Sequence, residues 1–251
     1  MNIRPSRLLG PLLALLIFVG AVLLLYKQLT AKDINDIWER LQELVVESPG
    51  SILLALGLTV INYLVLVGYD LLAVRFVGEK LSIRRVALAS FTAYACGYNF
   101  GSTLAGSSVR YRLYSAWGMP IIKIVQLLII LALTFWFGLL ALAGVVFIIA
   151  PLTFHLNLYF FSFENTRPLG VILLATALIY VGLSALHCGS IKFFRWRLPV
   201  PPFKLTVYQI LIASADLLLV AAVLFVLWPH DAEPCSYLQV LDIYMLVFVV
   251  G

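Results

Sequence analysis

The sequence predicts an all-α, polytopic integral membrane helical bundle, on three observations. Apolar residues make up 63% of the 251 and charged residues only 12%, with a mean hydropathy of +1.05. A soluble domain of this size has no interior large enough to hide so much apolar surface. The apolar residues fall into runs of about 20, the length of a helix that crosses a bilayer. Lys and Arg recur in alternate connections, as the positive-inside rule describes, and not on one soluble face, so the net charge of +5 is not the footprint of a nucleic-acid binder.

The first span is 8–26. It is longer than the apolar core of a signal peptide and no small-x-small cleavage site follows, so it reads as uncleaved. Residues 33–46 place Ile34, Ile37, Trp38, Leu41, Leu44 and Val45 at three-and-four spacing, the pattern of an amphipathic helix lying in the interface. Pro49 and Gly50 end it. The second span is 51–74, followed by a basic turn from Arg75 to Arg85. Residues 86–106 are apolar but interrupted by Gly97, Tyr98, Asn99, Gly101, Ser102 and Thr103. Such a stretch at membrane depth is tolerated only where protein or a water-filled cavity surrounds it, so it is expected to be a broken, re-entrant segment. Spans at 124–150, 169–186 and 205–228 follow, joined by an aromatic-rich loop at 152–168 and a basic loop at 187–204. The last run, 237–251, falls short of the ~20 residues a span requires and reads as a truncated last helix. The whole of 1–251 is expected to be a single transmembrane domain.

Charge sets the orientation. With the N-terminus in the cytoplasm and 86–106 re-entrant, Lys27, Lys32, Arg40 and Arg167 face outward and the rest of the 17 Lys and Arg residues face the cytoplasm. A single full crossing by 86–106 would carry Arg110, Arg112 and Lys123 outside and invert every later loop, so re-entry gives the cleaner bias. No internal repeat is evident, which argues against an inverted-repeat transporter.

Three acidic residues lie inside apolar runs: Asp70, Asp216 and Asp242. A carboxylate at the centre of a membrane helix costs ~2.5–3.5 kcal/mol on insertion scales, so each needs a partner or a cavity. On helical geometry Tyr69 shares the face of Asn62, Asp70 lies about 80° round from it, and Asp216 shares a face with Gln209. Asp242, near the outer end, is expected to snorkel. Arg110 and Arg112 stand at the mouth of the broken segment, between Tyr111 and Tyr114. Forked guanidinium groups there suit a phosphate. One arginine is expected to hold a lipid phosphate and the other to pair with Asp70. On a helix the two point to nearly opposite sides; on a strand they share a face. Tyr111 and Tyr114 also suit an interfacial aromatic belt.

Other chemistry is not supported. Cys96, Cys188 and Cys235 are far apart, and His155, His187 and His230 lack metal-ligand spacing. The stretch Gly101–Ser108 has the glycine spacing of a phosphate loop but carries Ser107 in place of its lysine. The motifs of serine hydrolases, zinc proteases and dinucleotide enzymes are missing from the sequence. No catalytic constellation and no cofactor are expected.

The stretch SFTAYACGYNFGSTLAGSSVRYRLYSAWGMP, residues 90–120, resembles the membrane part of the lysylphosphatidylglycerol synthase/flippase family, with RYRLYSAWG its most specific piece. Residues 69–91 and 209–229 resemble the family more weakly, so the resemblance runs from about Ser51 to Gly251. Where the family carries a glycine pair before RYR, this sequence has Ser107 and Ser108. The resemblance implies a bacterial inner-membrane protein that flips an anionic or aminoacylated phospholipid such as lysyl-phosphatidylglycerol. Lysine on that lipid weakens the membrane's attraction for cationic antimicrobial peptides. It also implies an alternative: the lipid-presenting part of an aminoacyl-tRNA-dependent lysyltransferase whose soluble domain is a separate partner. Self-association is a further expected partnership. Under the resemblance Asp70, Arg110, Arg112 and Asp216 belong to the lipid path, with Tyr98, Asn99, Tyr111 and Tyr114 beside them.

Overall fold

The spans expected at 51–74, 124–150, 169–186 and 205–228 each form a helix in the computed structural model, which describes residues 48–100, 103–151, 153–158, 161–186, 190–193, 196–199, 201–228 and 234–250. The expected span at 8–26 and interfacial helix at 33–46 lie outside the described residues. The elements in order are α1 (Pro49–Phe76), α2 (Ile83–Asn99), α3 (Thr103–Ala116), α4 (Ile121–Ile149), β1 (Thr153–Leu158), β2 (Phe161–Asn165), α5 (Arg167–Leu186), β3 (Ser190–Phe193), β4 (Trp196–Pro199), α6 (Phe203–Val226) and α7 (Tyr237–Val250). Four of these helices, α1, α4, α5 and α6, are long and apolar enough to cross a membrane. At 1.5 Å per residue the 29 residues of α4 span about 44 Å, ample for a hydrocarbon core of ~30 Å. The fold is the expected helical membrane bundle.

The connections carry more structure than the expected loops. β1 pairs antiparallel with β2, and β3 with β4, as two separate two-stranded hairpins. The alternation in TFHLNL and FSFEN fits a two-residue period, although the aromatic and basic composition reads first as loop.

The interrupted segment is two helices. α2 runs unbroken through Gly97 to Asn99, and α3 resumes at Thr103. A glycine inside a helix costs about 1 kcal/mol, which packing absorbs. The chain turns back between them, and α3 lies alongside α2: a Cβ placed on Gly106 would stand 2.8 Å from the Ala93 carbonyl oxygen. At 17 and 14 residues, each is shorter than a full span.

Glycine closures end α1 and α3. Met119 N–H donates to the Tyr114 carbonyl and Gly118 N–H to that of Ser115, both at 3.0 Å, with Gly118 at φ +87. That left-handed position suits glycine, and Pro120 then opens α4. Gly78, at φ +71, closes α1 through the same pair of bonds, from Glu79 to Val74 and from Gly78 to Arg75.

α4 is the spine. Its first half, with Ile124, Leu127 and Ile130, packs in a cluster with Leu66, Val74, Val86, Ala89 and Tyr114 of α1, α2 and α3. Its second half, with Leu139, Ala143 and Phe147, packs with Leu173, Leu217, Leu241 and Met245 of α5, α6 and α7. Small residues set the crossings. Gly138 meets Ala213 of α6, and Gly144 lies against the backbone of Leu174, where a Cβ would stand 2.7 Å from its nitrogen. Lipid tails are as apolar as leucine, so such close backbone packing holds membrane helices together in place of the hydrophobic effect. Leu53, Leu64, Ile122, Trp136, Ile179 and Val247 are exposed around the outside, as a lipid-facing surface requires.

Candidate functional site

Two consecutive residues of α1 reach two different partners. Asp70 is fully buried. It accepts hydrogen bonds from Arg110 Nε at 3.0 Å, Arg110 Nη2 at 2.9 Å and the Tyr114 hydroxyl at 2.9 Å. The first two form a bidentate fork, the strongest geometry for a carboxylate and a guanidinium. Arg110 and Tyr114 stand four apart on α3, so one helix face supplies all three donors. Beneath the guanidinium lies the Tyr94 ring of α2, its centroid 4.4 Å from Cζ, a cation–π contact. α1, α2 and α3 therefore meet at one buried charge pair.

Tyr69, the neighbour of Asp70, turns toward α6. Its hydroxyl donates to Asp216 Oδ2 at 3.1 Å. Asn62, on the same face of α1, donates through Nδ2 to Asp216 Oδ1 at 2.7 Å and to the Asp216 carbonyl at 3.2 Å. The carboxylate thus has two neutral donors where Asp70 has a cation. Two turns before Asp216 on the same face of α6, Gln209 Nε2 donates to Thr134 Oγ1 of α4 at 2.8 Å. Near the start of α6, Ser184 Oγ of α5 donates to the Pro201 carbonyl at 2.6 Å.

The two carboxylates sit at different depths. Asp70 lies six residues before the end of α1 and Asp216 thirteen after the start of α6, about 9 Å and 20 Å along their axes. Both helix ends belong to the same end of the bundle. There Arg75, Lys80, Arg84, Arg85, Arg112 and Lys204 are exposed, while Lys123 pairs with Glu79 at 2.6 Å. Among the described residues the opposite end carries Arg167.

The structure decides between the two arginines. α3 is helical, so they diverge: Arg110 turns inward to Asp70 and Arg112 outward to solvent or headgroups. Tyr111 is exposed; Tyr114 is buried against Asp70. Tyr98 and Asn99 are exposed at the end of α2, with Asn99 Nδ2 donating to the Ala95 carbonyl at 2.8 Å. Asp70 and Tyr114, both expected on the lipid path, are hydrogen-bonded to each other, and Asp70 also accepts from Arg110. Asp242 does not snorkel; it is buried, because α7 turns that face toward the bundle. Tyr94 escaped the sequence reading, although Ser90, Tyr94 and Tyr98 form a stripe at four-residue spacing. Asn62 and Tyr69 were legible as one face but their shared partner was not.

No family model matches the chain. It is 33% identical over 198 residues to the uncharacterized protein slr0712 of Synechocystis sp., a match covering 78% of this chain and 61% of that protein. It is 28% identical over 248 residues to the inner membrane protein YbhN of Escherichia coli, covering 98% of this chain and 75% of that protein. The chain spans about three fifths of the length of the Synechocystis relative. Its four long apolar helices and its likeness to an inner membrane protein agree. The chain is a multi-pass membrane protein. In such a protein the paired Asp70 and Arg110 give a neutral, rigid joint at modest depth. Asp216, about midway along α6, gives a carboxylate with no cation bonded to it among the described residues.

Proposed function

We propose that this chain translocates an anionic phospholipid, phosphatidylglycerol or its lysyl derivative, across a bacterial inner membrane, with the basic end cytoplasmic. The observation that carries the reading is the α2–α3 hairpin: it enters and leaves at the basic end and is pinned to α1 through Asp70, Arg110 and Tyr114. Its helices are too short for ordinary spans, so it suits a re-entrant element that lets a headgroup pass beside protein in place of hydrocarbon. The likeness of 90–120 to lysylphosphatidylglycerol synthase/flippases supports the same reading.

The geometry redistributes the expected roles. Arg112 and Tyr111, exposed beside the hairpin's mouth, meet the phosphate first, helped by the attraction of the surrounding Lys and Arg for anionic headgroups. Arg110 is a positioning residue through its Nε and Nη2 edge, leaving Nη1, beside Gly106, for a phosphate that has entered. Asp70 and Tyr114 hold that guanidinium in place. Tyr98 and Asn99 line the deep end of the path.

Reconstitution in liposomes holding lysyl-phosphatidylglycerol or phosphatidylglycerol tests this, with an impermeant reagent scoring the lipid that reaches the outer leaflet. Faster transfer than in empty liposomes is expected. Arg112→Ala should slow it about tenfold, the loss of one charge-assisted contact worth ~1.5 kcal/mol. Folded protein that moves neither lipid points instead to a part that presents lipid to a soluble aminoacyltransferase.

A further inference from the structure

We propose that Asp216 is a proton-binding site inside the membrane, and that the proton sits on Oδ2, shared with the Tyr69 hydroxyl. The inference does not rest on lipid transport. It starts from the contrast between the two buried carboxylates. Asp70 has a whole guanidinium and a phenol, so its charge is cancelled in place. Asp216 is 5% exposed and has an amide and a phenol. A buried charge without a counter-ion is among the costliest things a membrane protein can hold. A proton cancels it without needing space.

Among the described residues, the groups around Asp216 supply no cation bonded to it. α1 brings Asn62 and Tyr69. α2 brings Tyr94 and Tyr98, and α7 brings Tyr244, all within electrostatic reach of the carboxylate. α7 also carries the buried Asp242, an acid. On α4, Thr134 is bonded to Gln209, two turns before Asp216 on α6. Arg110, the buried cation nearby, is committed to Asp70.

Hydrogen-bond chemistry picks the oxygen. Asn62 Nδ2 can only donate, and it serves both Oδ1 and the Asp216 carbonyl, so Oδ1 must remain an acceptor. The Tyr69 hydroxyl can donate or accept. A proton taken up from bulk solvent therefore adds to Oδ2; the Tyr69 O–H···Oδ2 hydrogen bond is replaced by Oδ2–H···Oη, and Tyr69 keeps its own proton. No other covalent bond changes, and the site's charge goes from −1 to 0. The switch lies at the seam of α1 and α6, one turn from an apolar groove lined by Gly68, Leu72, Leu211 and Ile212 with Arg75 at its side.

Infrared difference spectroscopy of the full chain in lipid vesicles, recorded between alkaline and acid pH, tests this. The expected spectrum has a carboxylic-acid C=O band that Asp216→Asn removes, that Asp216→Glu moves and that Tyr69→Phe shifts to higher frequency by taking away the acceptor. The Tyr69→Phe shift keeps the test intact should Asp216→Asn fail to fold. A carboxylic-acid region unchanged by all three variants overturns the proposal. So does a band abolished by lysyl-phosphatidylglycerol but not by phosphatidylglycerol, which would make the lipid's ammonium the cation that Asp216 binds.

Discussion

Asp70 and Asp216 are the same residue type at similar burial, yet their surroundings give them opposite behaviour. Asp70 is one half of a fully bonded ion pair, so its removal strands Arg110. Breaking a buried pair from one side costs ~3–5 kcal/mol, whereas replacing both partners costs less. Asp70→Asn is therefore expected to lower stability by about 3 kcal/mol or more, and Asp70→Asn combined with Arg110→Gln by less than the sum of the single changes. Unfolding in detergent micelles, arranged as a double-mutant cycle, measures the difference; strict additivity would remove the pair from the account of the fold. The same experiment separates the arginines, since Arg112→Ala should leave the unfolding midpoint unchanged. The sequence could place two arginines and three acids in apolar surroundings. It could not say which arginine pairs, because that depends on α3 being helical and on the side from which α1 approaches.

At the level of elements, stability rests on where helices touch without side chains between them. Gly144 and Gly170 stand at the crossing of α4 and α5: a Cβ on Gly170 would lie 2.9 Å from Phe147 Cβ and 3.0 Å from the Gly144 carbonyl oxygen. Gly144→Val or Gly170→Val should cost ~1–3 kcal/mol by forcing the helices apart. Gly57→Ala, with open space around its Cβ position, should instead be neutral or stabilising, by up to ~1 kcal/mol of helix propensity. Thermal unfolding of the three variants checks the contrast, and equal losses would contradict the packing argument. The spans were legible because length and apolarity are local properties. The hairpin was only partly legible: its glycines and polar residues mark an interruption, but whether the chain breaks, crosses or turns back depends on Gly106 fitting against Ala93.

At the scale of the whole molecule, the helix order puts the ends of α1, α3 and α5 and the starts of α2, α4 and α6 at one end, with Arg75, Lys80, Arg84, Arg85, Arg112 and Lys204 exposed there. Under the positive-inside rule we propose that end as the cytoplasmic one. Single cysteines replacing Lys80, Arg112 and Lys204, in a background without Cys96, Cys188 and Cys235, should be labelled by an impermeant thiol reagent only from the cytoplasmic side. A cysteine replacing Arg167 should be labelled only from outside. Labelling of the Arg112 position from outside would mean that the hairpin crosses and would undo the topology on which the proposed lipid path depends.

The sequence by itself determined the solvent this protein lives in, the positions of its long helices and the uneven distribution of its positive charge. Each of these follows from composition and period along a single stretch of chain. Tertiary structure alone decided that Arg110 belongs to Asp70, that Asn62 and Tyr69 both serve Asp216, and that Arg112 stays exposed on the surface of α3. Those choices are made between residues 40 to 154 positions apart. In a medium with no water to satisfy a stray polar group, the helices settle where each buried donor and acceptor finds another, and the chain's local pattern carries no record of which one that is.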